Sequence, residues 1–187
     1  MKKLIALLVI ASWLSGCAAA LIAGAAGTAS AVNDRRTLGN QIDDNAIEIK
    51  ASAYIVDEEA LNKHVNINAV SVNGILLLIG QSPNDMLKDR VVKLMRGIPG
   101  VRKLHNQIRI GTPVSISTKT HDAWLTSKVK LQLLTDERID GTHIKVVTEN
   151  SEVFLMGLVS QQEANIAADI SRNVNGVARV YKAFEYL

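Results

Sequence analysis

Four histidines and one cysteine are the side chains of this sequence most able to ligate a metal or serve as a nucleophile with its base. His64, His105, His121 and His143 are scattered among turn, strand and linker positions, without the short spacings that zinc sites use. No Gly-rich phosphate loop, His-Glu-x-x-His helix or Gly-x-Ser-x-Gly elbow occurs, so nucleotide-binding and hydrolytic chemistry lack their usual carriers. No enzymatic activity, cofactor or metal is expected. Nucleic acid fits poorly too, since the net charge is only +3 and aromatic residues make up 4% of the chain. Two chemistries remain. Cys17 is the sole thiol and closes an apolar leader, where it could be lipidated. Trp124, Lys128, Lys130, Leu131 and Leu134 could meet a lipid surface, the apolar groups entering the acyl boundary and the ammonium groups answering anionic headgroups.

The leader has the parts of an export signal: Lys2 and Lys3, the apolar run Leu4 to Ile10, then small residues to Leu14-Ser15-Gly16-Cys17. It is too short to span a bilayer. Its last four residues resemble the bacterial lipoprotein signal, in which cleavage leaves Cys17 as an N-terminus carrying a diacylglyceryl thioether and an amide-linked acyl chain such as palmitate. A free cysteine in an ordinarily cleaved leader is the alternative, and it explains the single thiol less well. Residues 1–16 are thus expected to leave as signal peptide, and the mature chain would hold no free thiol, which suits an oxidising envelope. Each buried acyl methylene contributes about 0.8 kcal/mol, so a lipidated Cys17 would anchor the chain without help from its folded part. Ala18 follows, not the Asp of inner-membrane retention, and this favours the periplasmic face of the outer membrane. Residues 17–43 form a lipidated N-terminus and Ala/Gly-rich linker, whose stretch Ala18 to Val32 is either a flexible spacer or a segment lying near the acyl chains.

Beyond the linker the chain is written twice. Ile67 to Gly80 and Ile144 to Gly157 each run from a β-branched segment through an Asn-centred turn into an apolar run closed by Gly, 77 residues apart. That period is too long for a solenoid and suits two copies of one small domain. Domains near 70 residues are marginal alone, so the copies should pack together. The apolar runs Ile75 to Ile79 and Val153 to Met156 should be buried on both faces.

Each copy predicts helix, strand, strand, helix, strand, in an α+β fold spanning residues 44–111 and 120–187. Asp44 and Asp122 are read as caps of the first helices, whose apolar stripes are Ile47, Ala51, Ile55 and Leu125, Val129, Leu133. Ser82-Pro83-Asn84-Asp85 and the capping box Ser160-Gln161-Gln162-Glu163 start the second helices. Pro99-Gly100 and Asn175-Gly176 stop them, and Val101 to Ile110 and Val177 to Tyr186 are the last strands. Gly80 and Gly157 are expected to be structural.

Setting the copies side by side singles out Trp124. Its counterpart is Ala46, and Trp124, Lys128, Leu131 and Leu134 form a second stripe beside the core stripe. The first copy has Ala46, Lys50, Ala53 and Val56 there, with Glu48 and Asp57 to Glu59 nearby. Two readings stand on the residues alone: the stripe fills the interface between the copies, or it faces a membrane. Charge adds little, since loss of Lys2 and Lys3 takes the net charge to +1 and residues 112–187 carry eight basic and nine acidic side chains. Any preference for anionic headgroups must be local.

The doubled unit, Gly80 and Gly157, the helix stops and the Cys17 signal together resemble a dual BON-domain outer-membrane lipoprotein. Gln41-Ile42-Asp43-Asp44, Asp122-Ala123-Trp124 and Val146-Val147-Thr148-Glu149-Asn150 are similar to strings of the DolP family. The resemblance implies two αββαβ BON domains, each with two helices on a three-stranded mixed sheet. It also implies anionic, phosphatidylglycerol-like phospholipid binding by the second domain, through Trp124, Lys128, Lys130, Leu131 and Leu134, where Leu131 replaces a polar residue. Enrichment at the division site and support of cell division, envelope integrity and stress response are further implications. A non-enzymatic adaptor that uses the same stripe on an envelope protein or a peptidoglycan-associated partner is the rival expectation.

Overall fold

The structure is a computed structural model that describes residues 37–187. The leader, Cys17 and the Ala/Gly-rich segment lie outside the described residues. The first repeat runs α1 (Leu38–Asp57), a short α2 (Glu59–Asn62), β1 (Asn66–Val72), β2 (Ile75–Ser82), α3 (Asp85–Arg96) and β3 (Lys103–Ile110). The second runs α4 (Ile116–Thr135), a 3-10 turn (Gly141–His143), β4 (Lys145–Glu149), β5 (Glu152–Met156), β6 (Leu158–Val159), α5 (Gln161–Arg172), β7 (Arg179–Lys182) and β8 (Glu185–Tyr186). In each repeat a hairpin is joined in parallel by the last long strand, giving mixed sheets ordered β1-β2-β3 and β4-β5-β7. The expected αββαβ order and α+β class hold in both.

Both first helices begin earlier than the aspartates suggested. Thr37 caps α1 and Ser115 caps α4, each side chain accepting from a backbone N–H three residues on. Asp44 and Asp122 are instead buried in mid-helix, in phase with the core stripe. Their task is at the hairpins. Asn73 and Gly74, and likewise Asn150 and Ser151, all have positive φ, the left-handed pair of a type I′ turn. Such a turn aims two backbone N–H groups at the helix. Asp44 accepts from Asn73 N at 2.6 Å and Gly74 N at 2.9 Å, and Asp122 accepts from Asn150 N at 2.7 Å and Ser151 N at 2.8 Å. The carboxylates tie helix to hairpin, and this outweighs the capping role that their position near the helix start predicted.

Two smaller corrections share a cause in backbone hydrogen bonding. Asn84, not Ser82, caps α3, because Ser82 is still paired with β3 as the last residue of β2. The final strand of the second repeat is split at Ala183 and Phe184, both buried, where β7 leaves β5 and β8 pairs with β6. The capping box of Ser160 and Glu163 stands as expected.

The period of two along β2 and β5 builds the molecule's layers. Leu76 and Leu78 face the helices of the first repeat, and Val153 and Leu155 those of the second. The intervening Ile75, Leu77 and Ile79 meet Phe154 and Met156 in a third cluster with Val70, Val72 and Ala183. One face of each sheet carries its own helices, and the other packs on its partner sheet. Phe154 stacks on Tyr181 at 4.9 Å between ring centroids. Polar bridges rim this interface: Arg102 to Glu185, Lys145 to Glu48 and Arg109 to Glu152. Burial alone raises the Glu185 carboxyl, yet hydrogen bonds from Arg102 and Asn73 and the charges of Arg102 and Lys103 hold it below the ordinary glutamate value.

Candidate functional site

Helix α4 is held to its repeat on one side only. Leu125, Val129 and Leu133 are fully buried against β4, β5 and α5, and the Asp122 clamp fixes the helix along its axis. Thr126 Oγ1 adds a 2.8 Å hydrogen bond to Thr148 on β4. With core residues every fourth position, whatever stands about 100° further round the helix must point away from the sheet.

That outward side carries the stripe. Trp124 is 53% exposed, Leu131 58% and Leu134 51%. The reading in which these groups fill the interface between the repeats is therefore overturned, because that interface is made by the two sheets. The half-buried Lys128 lies on the stripe's flank, its Nζ 4.8 Å from the centroid of the Trp124 ring, a cation–π distance. The same ammonium donates to the Asn175 carbonyl at 3.3 Å, so it is held in place at the helix-stop loop. Lys130 is exposed and stands about 120° round the helix from Trp124, on the stripe's opposite flank. Trp124, Lys128, Leu131 and Leu134 thus form one continuous face, with a cation on each side once Lys130 is included.

Two members of this face escaped the sequence reading. Ile116, in the first turn of α4, is 84% exposed and extends the apolar stripe toward the N-terminus. Its signal was the eight-residue spacing to Trp124, hidden by starting the helix at Asp122. His121 places its ring 5.6 Å from the Trp124 ring, tilted by 35°. Arg138, just past the helix, is engaged elsewhere: its hydrogen bonds hold the Asp136 carboxyl down at about 2.

The two glycines occupy matched places beneath the hairpins. A Cβ on Gly80 would lie 2.0 Å from the Asn66 carbonyl oxygen, and one on Gly157 2.2 Å from that of His143, in both cases on a backbone with positive φ. Among the described residues no three His, Cys, Asp or Glu side chains are placed to hold a metal ion, and no helix is long and apolar enough to cross a membrane.

The BON domain model matches residues 43–112 and again 121–187. Over all 187 residues the chain is 42% identical to the outer membrane lipoprotein DolP of Haemophilus influenzae, covering 100% of this chain and 97% of that protein. It is 36% identical to a 21 kDa hemolysin of Actinobacillus pleuropneumoniae, over 82% of this chain and 79% of the relative. The osmotically-inducible protein Y of Escherichia coli is 30% identical over 76% of this chain and 72% of its own length. None of these names states an enzymatic reaction.

Proposed function

This chain belongs to the family of BON-domain lipoproteins that includes DolP, and from that premise we propose that it is held at the outer membrane by an acylated Cys17 and binds anionic phospholipid through α4. The observation that carries the reading is the outward stripe of Trp124, Leu131 and Leu134 with Lys128 and Lys130 on its flanks. Large apolar groups that serve no packing purpose, set between cations, match the boundary between acyl chains and headgroups. Each lysine near an anionic surface contributes about 1 kcal/mol, so the pair supplies roughly thirtyfold in affinity. Such binding is weak for a free domain. A tether at Cys17 places the domain at an effective lipid concentration of roughly millimolar, where weak recognition suffices. The domain would orient on, or report, the lipid rather than attach the protein. Support of envelope integrity, and any concentration at the division site, would follow from where such lipid is displayed.

The test uses the chain from Ala18 onward, in which Trp124 is the only tryptophan because Trp13 belongs to the leader. Its emission should start red, as the exposed ring requires, and shift blue with phosphatidylglycerol vesicles but not with phosphatidylcholine. Trp124→Glu should melt like the parent and lose lipid binding, scored by vesicle co-sedimentation. Emission indifferent to both lipids would overturn the reading and return the stripe to a protein partner.

A further inference from the structure

The counterpart of the lipid-facing stripe, on the first repeat, is apolar and exposed as well. Along α1, Ile42 is 68% exposed, Ile49 69% and Val56 58%. These three recur every seven residues, and Gly39, Ala46 and Ala53 recur in the same way three positions before each. The alternation of three and four is the heptad seam of paired helices, with small residues at one seam position and branched ones at the other. An α-helix drifts about 20° per heptad against such a repeat, so over two heptads the seam stays on one face. Five of the six seam residues are exposed and Ala46 is half-buried, and none of them joins a core cluster of the molecule. The core stripe of α1 is Asp44, Ile47 and Ala51, on the far side.

We infer that this face of α1 binds the same face of a second copy, in an antiparallel pair. Placing Ala46 against Ile49 of the other helix sets Ile42 against Ala53 and Gly39 against Val56, and two-fold symmetry repeats each layer. Every branched side chain then meets a small one, which lets the axes approach to about 8 Å without voids. A parallel pair would stack Ile on Ile and leave gaps at the Ala layers. Charge selects the same register. Along one edge Asp43 falls opposite Lys50, twice by symmetry, and along the other Asn45 falls opposite Ser52. All four residues are exposed, and neither Asp43 nor Lys50 has an ion-pair partner among the described residues. An anionic membrane fits this stripe less well, because its surroundings are Asp43 and Asp57 against the single Lys50. One helix pair buries on the order of 1,000 Å² in total, at the lower edge of specific interfaces, so the dimer should be weak.

The test uses the chain from residue 17 onward with Cys17→Ser, which removes its one thiol. Sedimentation equilibrium should show the average mass climbing toward twice the monomer at about 100 µM, as a small interface demands. Ile49→Glu should hold the chain monomeric without altering its melting temperature. Cysteine variants read the register: Ile42→Cys mixed with Ala53→Cys should give a mixed disulfide, while neither alone should dimerise. A chain monomeric at that concentration with no mixed disulfide would overturn the proposal. So would a dominant disulfide between two copies of Ile42→Cys, which marks a parallel pair. Loss of vesicle binding by Ile49→Glu with mass unchanged would assign the stripe to lipid instead.

Discussion

Removing the carboxylate of Asp122 tests whether the clamp between α4 and its hairpin holds the second repeat together. Asp122→Ala leaves Asn150 N and Ser151 N, now bonded at 2.7 and 2.8 Å, facing an apolar methyl from within a packed turn. A hydrogen bond to a charged group contributes about 1.5–3 kcal/mol, so two give about 3–6 kcal/mol. The turn is only partly buried and water can reach it, which places the expected loss near the lower value, about 3 kcal/mol. That is a large part of a typical total of about 5–15 kcal/mol. For a folded region of this size it should lower the melting temperature by about 6–12 °C. Asp122→Asn should fall between parent and alanine, since one oxygen can still accept while the amide NH2 confronts a second donor. The assay is thermal unfolding followed by far-UV circular dichroism, with urea denaturation for the free energy. An alanine variant melting within about 2 °C of the parent would refute the reasoning and mean that water replaces the carboxylate at no net cost.

Gly157→Glu is expected to destabilise the second repeat by about 3–5 kcal/mol, because a Cβ would fall 2.2 Å from the His143 carbonyl oxygen on a backbone with positive φ; an unchanged melting temperature would contradict it. The Arg102–Glu185 bridge makes a pH-dependent contribution to the interface between the repeats. Because the folded Glu185 carboxyl sits below its ordinary value of 4.5, this contribution is present above that pH and is lost as pH falls through the lower, folded value. The gap in melting temperature between the parent and Glu185→Gln should therefore be open at neutral pH and close in acid, and a gap independent of pH would sink the assignment.

The repeat, the element order and the doubly buried strands were legible because they rest on periodicity. β2 and β5 had to be apolar on both faces once a second sheet covered them. The helix starts were not legible. Thr37 precedes Leu38 and Gly39, a weak opening, and Ser115 lies in a run of Ser and Thr between the two predicted domains. Asp44 and Asp122 drew the caps toward themselves. Their phase with Ile47, Ala51 and with Leu125, Val129 was the signal that they are buried, since a cap need not share the core stripe. Two apolar stripes on α4 compete for the same explanation, which is why the residues alone leave both an interface and a membrane reading of Trp124 open. Only the facing sides of the two sheets, closed by Phe154 and Met156, show that no helix is needed there. The exposed stripe on α1 is hidden from a comparison of the repeats because the counterpart of Trp124 is Ala46, its small seam position, and not Ile42 or Ile49.

The two stripes follow from one architectural constraint. With the sheets packed face to face, the helices of each repeat form an outer layer, and the first helix of each must present a surface that the fold leaves unused. At matched seam positions the repeats then diverge in a compensating way. Ala46 and Ala53 correspond to Trp124 and Leu131, whereas Ile42 and Ile49 correspond to Thr120 and Ser127. Bulk sits at alternate positions in α1, where small neighbours make room for another helix, and α4 concentrates it with a tryptophan that no close helix partner could accommodate. The flanking charges divide the same way: Asp43 and Lys50 can answer each other across a two-fold axis, whereas α4 carries a cation on both flanks, Lys128 and Lys130. Because the stripes lie in separate outer layers, a chain paired through α1 keeps α4 free, and two copies would offer two exposed α4 stripes where one copy offers one. Avidity of that kind lets two weak sites hold more firmly than either alone, so under the proposed lipid binding the α1 contact would sharpen the response of α4 to the density of anionic lipid.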